Sequence, residues 1–402
     1  MTASARTWRG AAGAWLGIGT APGALVLGAQ IGERHDGTLP LVVLVIGGVV
    51  MCALLAAQGR RGLRPPAGEN ATLSELSPRY LPPVTDRVVT GLLGLAMIGW
   101  FGFNVGLGGG AVAALTGLPD VAGALALSVP IAAVLLSGGR WNGLAVVTTL
   151  TAIVLIALVA LRLPPPASPI SVVPSGAPRD VGAALAVDLA GYIGYVSVFA
   201  VRAPDFTVGL RGRGDLWWCV GLLVGPALAA SVVGAGLAAA SGSSDVVAVL
   251  ARPEGLPVAN LFVAVSVIAP TLSAVHSGVF AARRFAARLP YAATVLVIAV
   301  PGTVLASLRM DRLLLSWLTL LAATLPALIP PMTAEAVRRR RGGHRDGRRR
   351  VSTWLWAPGA GLALTLTLAG YAAAAPAGLA LSLLATVAHG AFGAFRAEQR
   401  AR

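Results

Sequence analysis

The chain contains no lysine; all 31 of its basic residues are arginine, which reads as genomic composition bias rather than chemistry. Charge of either sign is scarce. Only 12% of residues are charged, where a soluble chain carries about 25%, so the soluble globular class is excluded. There are two cysteines, Cys52 and Cys219, both inside apolar stretches. That fits buried structural thiols, not a disulfide framework or a metal site. A phosphate loop, a zinc-ligand set and a nucleophile elbow are missing too. The glycine-rich stretches lie inside apolar segments, where a nucleotide-binding reading has no support. No polar segment is long enough for a folded soluble domain, which argues against a sensor. The net charge of +15 does not mark a nucleic-acid binder, because the arginines sit in short loops beside apolar spans.

What fills the chain is hydrophobic sequence, 56% of all residues. It is arranged in twelve apolar segments of about 20 residues, the length a helix needs to cross a bilayer. They cover 9–32, 38–58, 87–117, 121–138, 141–162, 181–203, 215–241, 257–282, 289–308, 313–333, 353–374 and 376–395. The fold class is all-α and polytopic. The first segment is a poor signal peptide, since it runs past about 15 residues, holds Pro22 in its middle and is followed by acidic residues.

Arginine sets the topology through the positive-inside rule. Arg6 and Arg9 precede span one, and Arg60, Arg61, Arg64, Arg79 and Arg87 lie between spans two and three. Arg140 follows span four, Arg211 and Arg213 span six, and Arg283, Arg284 and Arg288 span eight. Arg338 to Arg341, Arg345 and Arg348 to Arg350 follow span ten, and Arg396, Arg400 and Arg402 close the chain. Both termini are therefore expected in the cytoplasm, in a multi-pass protein of a bacterial plasma membrane. Segment 59–86 is too polar to span and is expected as a cytoplasmic loop with a short surface helix. The Asn70-Ala71-Thr72 sequon falls on that side and is discounted. Segment 163–180 is the expected external connection, and 334–352 a cytoplasmic basic linker beside anionic lipid.

Five spans over 9–162 and five over 181–333 place the second set upside down relative to the first, the parity that an inverted repeat requires. Spans eleven and twelve, 353–395, are accessory. Spans one and six are expected to break. Span one holds Gly17, Gly19, Thr20, Pro22 and Gly23, and Pro22 removes a ladder hydrogen bond to Ile18. Freed carbonyls there could coordinate a cation or face a substrate; the alternative is a packing kink. In span six, Asp188, Tyr192, Tyr195 and Phe199 share one face. Asp188 is either a functional intramembrane carboxylate, a proton-coupling candidate, or a hydrated interfacial one.

Span three places Trp100 and Asn104 four residues apart, with Gly102, Gly106 and Gly110 as a small-residue stripe. A tryptophan beside an amide suits a flat heterocycle, the ring as platform and the amide as donor and acceptor. A core tryptophan with an interhelical asparagine bond is the alternative. In span eight, Ser266, Pro270, Ser273 and Ser277 line one face, with Thr271 and His276 nearby. Their hydroxyls could serve a cation such as sodium or bond back to their own helix. His276 could titrate, read a substrate or pack.

Ile98-Gly99-Trp100-Phe101-Gly102-Phe103-Asn104-Val105, followed by Leu115-Thr116-Gly117-Leu118, resembles the cytosine permease branch of the nucleobase:cation symporter-1 family. Ala203-Pro204-Asp205-Phe206 with Arg211 is similar to that family's exit from span six. The resemblance implies a LeuT-like five-plus-five inverted repeat with broken helices one and six and two extra helices. It implies substrate between spans one, three, six and eight. Trp100 would stack on it, and Asn104, Thr20, Tyr195 or Val196, Ser273 and His276 would complete the site. Thr271 and Ser266 would hold a cation with carbonyls from Gly19 to Gly23. Span eight departs from the family, since Thr271-Leu272-Ser273-Ala274-Val275-His276 lacks its asparagine. Either His276 or Ser273 replaces it, or the substrate is not cytosine.

The expected function is secondary transport of a nucleobase-like heterocycle, coupled to Na+ or H+. The protein is expected to be a monomer among membrane lipids, with no nucleic acid bound and no cofactor. An amino-acid or amine permease of the same fold is the runner-up. A membrane enzyme such as a lipid-linked transferase would need acidic or histidine clusters in its loops, and only scattered charges are found.

Overall fold

The computed structural model describes residues 6–137, 142–162, 169–172, 181–252, 256–285, 288–341 and 350–401. Arg140, Arg345, Arg348, Arg349, Arg402 and most of the 163–180 connection lie outside the described residues. Among the described residues, nine helical segments are long and apolar enough to cross a membrane, and three shorter apolar helices accompany them. The chain is a multi-pass membrane protein.

Span one is two helices, α1 (Trp8–Gly19) and α2 (Pro22–Arg34). Span two is α3 (Leu41–Gly62), followed by the surface helix α4 (Leu73–Tyr80). Thr72 and Glu75 form a capping box on α4, and its hydrogen bonds from Thr72 hold the Glu75 carboxyl below the usual range. Spans three to five are α5 (Pro83–Thr116), α6 (Asp120–Leu136) and α7 (Asn142–Arg162). Spans six and seven are α8 (Val181–Thr207) and α9 (Arg213–Ser241), and α10 (Val246–Leu250) lies between spans seven and eight. Span eight is α11 (Ala259–Ser266) and α12 (Ile268–Phe285), and span nine is α13 (Tyr291–Ser307). Span ten is α14 (Leu314–Thr324) and α15 (Ile329–Arg341), joined by a 3-10 turn. Helix α15 carries span ten into the expected linker, with Glu335 paired to Arg338 and Arg339 along it. Spans eleven and twelve are α16 (Ala357–Leu368) and α17 (Ala375–Ala401).

One expectation fails. Span six is not broken: α8 runs without interruption from Val181 to Thr207. Its Gly191 and Gly194 keep the helical ladder, and its only proline, Pro204, sits in the last turn. The interruptions in spans one, eight and ten all lie at or just before a proline: Pro22, Pro270 and Pro326. Proline is not sufficient, since α6, α9 and α13 run through Pro130, Pro226 and Pro301. In span one the residue before proline decides. Ala21 takes ψ 141, outside the helical region, as a residue preceding proline is pushed to do.

The packing has the symmetry of an inverted repeat. The two most extensive helix contacts are α3 on α8 and α2 on α9, that is, span two on six and span one on seven. Each pair exchanges with the other when the halves are swapped. Helices α2 and α9 approach closely because glycine faces backbone in both directions. A side chain at Gly28 would collide with Ser231, and one at Gly234 with the Leu25 carbonyl. Helix α5 is the centre of the second group, contacting α6, α12 and α13. Its glycine stripe performs as expected: Gly102 meets Leu305, and Gly106 meets Ala306 on α13. Helices α16 and α17 pack on each other and on α14, away from α2 and α5.

Candidate functional site at the break in span one

The break brings α1, α2, α5 and α8 together. Helix α1 ends at Gly19, and α2 begins at Pro22 with no side chain capping its first turn. An uncapped helix start carries partial positive charge and favours an electron-rich group beside it. The Ile18 carbonyl, which a continuous helix would pair, accepts from Ala21 N at 3.2 Å and from the Tyr195 hydroxyl at 2.8 Å. Opposite Gly23 stand the rings of Phe103 and Tyr195, close enough that a methyl at Gly23 would press on Phe103. Trp100 meets Phe103 edge-on at 5.7 Å and Tyr195 at 6.0 Å between ring centroids.

Polar capacity is left over here. The Trp100 indole Nε1 is buried without a hydrogen-bond partner. Asn104 lies one turn along α5, is 3% exposed, and makes no side-chain hydrogen bond with any described residue. Unpaired donors and acceptors inside a membrane protein are costly, and a polar planar ligand against Trp100 would satisfy both. The Thr20 hydroxyl, by contrast, bonds back to Leu16 at 2.9 Å. Tyr195 has spent its hydroxyl on Ile18, so what it offers a ligand is a ring. Val196 is fully buried on α8.

Just outward of the break lies a cavity of about 270 Å³. Its walls include Val26, one turn beyond Gly23, and Leu107, one turn beyond Asn104, so it continues the site outward between α2 and α5. Gln30, Glu33, Asp311 and Arg312 form its polar side. Gln30 clamps the 311–315 segment: its amide donates to Asp311 O at 3.1 Å and accepts from Leu315 N at 2.9 Å. Arg309, between α13 and α14, pairs with Asp311, Asp120 and Asp245 at 2.9 to 3.6 Å. Burial works against its charge, but the hydrogen bonds and fields of these carboxylates raise its pKa overall. At the other end of α8, Arg202 bonds to Ser277 on α12 and to Asp205 at 3.1 Å, and Asp205 accepts from Leu73 N at 2.7 Å. The Asp-Phe pair after span six thus ties α8 to α4.

The expected cation site is not assembled. Gly19 faces the Leu223 backbone on α9, and α1 barely touches α12. The Thr271 hydroxyl donates to Val267 at 2.6 Å and that of Ser266 to Val263 at 2.9 Å, each within its own span. Span eight breaks at Val267 and hydroxyls recapture the loosened turn, as serine and threonine do in apolar helices. His276 is corrected as well. It lies on an exposed face of α12, edge-on to Phe280 at 4.9 Å, because helical spacing fixes which residues share a face but not where the face points. Ser273 on the same helix is half-buried. Asp188 stands two turns outward of Tyr195, fully buried, bonded to His35 and Arg34.

The sequence reading missed Phe103, Gln30, His35 and Arg202. A signal existed for Gln30, a polar residue inside an apolar span. None existed for His35, whose partner lies 153 positions away.

No protein-family model matches the chain, and no curated protein matches it. Solved structures do. Mhp1, a nucleobase-cation-symport-1 family transporter in a closed conformation with bromovinylhydantoin bound, superposes with a TM-score of 0.67 at 17% identity, over 95% of this chain and 91% of that one. Inward-facing Mhp1 gives 0.66 at 14% identity, over 97% and 93%. A Na+-coupled sialic acid symporter gives 0.55 at 12% identity, over 94% and 89%. The manganese transporter of Eremococcus coleocola gives 0.53 at 12% identity, over 96% of each chain. The fold is the LeuT-type five-plus-five inverted repeat of secondary transporters.

Proposed function

We propose that this protein is a secondary active transporter that imports a flat, nucleobase-like heterocycle by cation-coupled alternating access. It acts in the plasma membrane with both termini cytoplasmic. The observation that carries the reading is the unspent polar capacity of Trp100 and Asn104 on α5, where Trp100 packs against the Phe103 and Tyr195 rings that stand opposite Gly23 at the break in span one. A hydantoin or pyrimidine has a face to stack on Trp100 and ring donors and acceptors for Asn104 and the indole N–H. Mhp1 holds a hydantoin, which supports this class of substrate over an amino acid. A metal-ion cargo is less well supported. Among the described residues no group of three histidine, cysteine or acidic side chains could hold one.

The test is equilibrium binding and proteoliposome uptake with labelled hydantoins, pyrimidines, purines and amino acids. At least one flat heterocycle should bind, and Trp100→Ala should abolish its binding while the protein still folds and inserts. Trp100→Phe should keep part. Loss of one base-sized stacking contact is worth about 1–3 kcal/mol, and the adjoining indole hydrogen bond goes with it. Normal binding by the alanine variant would move the site elsewhere.

A further inference from the structure

The strongest feature outside the break is a buried acid–imidazole pair. His35 ends α2, and its Nε2 lies 2.6 Å from Asp188 Oδ2 on α8. Their side chains are 1% and 0% exposed. Arg34 donates to the other carboxylate oxygen at 3.1 Å and is the outermost, partly exposed member. Among the described residues, the exposed carboxylate of Asp36 follows His35 directly. Tyr192 stands one turn inward on α8. Glu33 is turned to Ser244, and Arg312 and Asp245 bond to each other. The short paired strands Leu39–Pro40 and Ile170–Ser171, the outer part of α3 and the outer part of α9 bring no titratable group. Tyr371, before the 372–374 turn that packs on α8, is exposed.

Of these side chains, His35 is the imidazole, held against the Asp188 carboxylate at 2.6 Å. Imidazole is the side chain that ordinarily gains and loses a proton between pH 5 and 8. Added to His35, a proton creates an imidazolium against a buried carboxylate and tightens the hold of α2 on α8. These are two of the helices that form the site: α2 carries Gly23 and α8 carries Tyr195. A proton at the outer end and a substrate at the break therefore act on one helix pair, which is what thermodynamic linkage requires. The alternative cation has no assembled ligands, since the Thr271 and Ser266 hydroxyls are turned into their own span.

We propose that His35–Asp188 is a proton-binding site open to the outer side, and that the proton, not sodium, is the cation linked to substrate binding. This rests on the transport reading above, so the experiment reads the pair both with and without a substrate. Without one, hydrogen exchange of the 22–38 segment is followed from pH 5 to 8. Measured as protection relative to the intrinsic base-catalysed exchange rate, it should become better protected on acidification in the native protein and lose that response in His35→Gln, which keeps a donor for Asp188 but cannot titrate, and in Asp188→Asn. With one, the heterocycle that binds best should bind roughly fivefold or more tightly at pH 5.5 than at pH 8. Its addition in weak buffer should take up protons. Replacing sodium by choline should change neither, and His35→Gln should flatten the pH dependence. A pH dependence that survives in His35→Gln, or binding that follows sodium, overturns the proposal. If no compound binds at any pH, the transport reading fails, and the exchange measurement alone decides the pair: an unchanged response in His35→Gln overturns it.

Discussion

Spans one and six exchange places when the two halves of the fold are swapped, yet only span one is broken. Both are rich in glycine at membrane depth. Span one also has Pro22, which forces Ala21 out of the helical region; span six has only Pro204, beyond the bilayer centre. A proline beside a glycine does not suffice, since α9 and α13 pass through Gly225-Pro226 and Pro301-Gly302; what breaks span one is that Ala21, before Pro22, leaves the helical region. The intact helix then serves the broken one. From α8, Tyr195 donates to the Ile18 carbonyl that the break releases, and Asp188 holds His35 at the far end of α2. A rigid span six gives a two-piece span one fixed points at its middle and its outer end.

The largest effect should come from removing the asymmetry. Pro22→Ala restores an amide able to bond Ile18 and lifts the restriction on Ala21. Proline within a helix costs about 3 kcal/mol relative to alanine, so the substituted span one is free to close into one helix. Substrate uptake should fall more than tenfold while thermal stability holds or rises. Hydrogen exchange over 19–24 should slow as the break heals. Undiminished uptake would mean that the break is a packing kink and not a site.

A smaller effect follows from cutting the support that span six gives. Tyr195→Phe keeps the ring beside Trp100 and Gly23 but removes the donor to Ile18. Leaving a buried acceptor short of a partner costs about 1–3 kcal/mol, softened here because Ala21 N still reaches that oxygen at 3.2 Å. Substrate binding should weaken about three- to tenfold, with the melting temperature lowered. If Tyr195→Phe binds as the native protein does, the hydroxyl has no part in shaping the break.

How much of this was legible beforehand follows from the kind of information each feature needs. The apolar spans and the break at Pro22 depend on local sequence and appear near their expected places, a short helix at 73–80 lies within the 59–86 loop, and span ten runs on to Arg341. Spacing of four puts Gly102, Gly106 and Gly110 on one face: Gly102 meets Leu305 on α13, Gly106 meets Asp311 and Ala306, and Gly110 meets the Arg309 guanidinium just past α13. The partners of that face depend on topology. The same limit explains His276: periodicity placed it near Ser273, but only the packing of α12 reveals that its face is exposed. Asp188 stood out as an acid inside an apolar helix, functional or hydrated at the interface; the structure buries it against His35 and Arg34, so it is not a hydrated interfacial carboxylate. That answer came from the turn after span one, which no local pattern connects to span six. The expected break in span six is absent because α8 keeps Gly191 and Gly194 in its helical ladder and has no proline before Pro204 in its last turn.

The smallest effect tests what span eight contributes. Thr271 is fully buried, and the resemblance in span three made its hydroxyl a candidate cation ligand. In the structure that hydroxyl donates to Val267, the residue at which span eight breaks. Valine is close in size to threonine but cannot donate, so Thr271→Val removes one hydrogen bond to a carbonyl that Thr271 N also reaches, at 3.0 Å. A typical intramolecular hydrogen bond contributes about 0.5–1.5 kcal/mol net, and the remaining donor should hold the loss near the lower end. Substrate affinity should change less than about twofold, equally in sodium and in choline, with a slight fall in melting temperature. A sodium-dependent loss of affinity in Thr271→Val would instead place a cation at the gap between α11 and α12. Sodium held between spans one and eight, and not a proton on the outer His35–Asp188 pair, would then be the coupling ion.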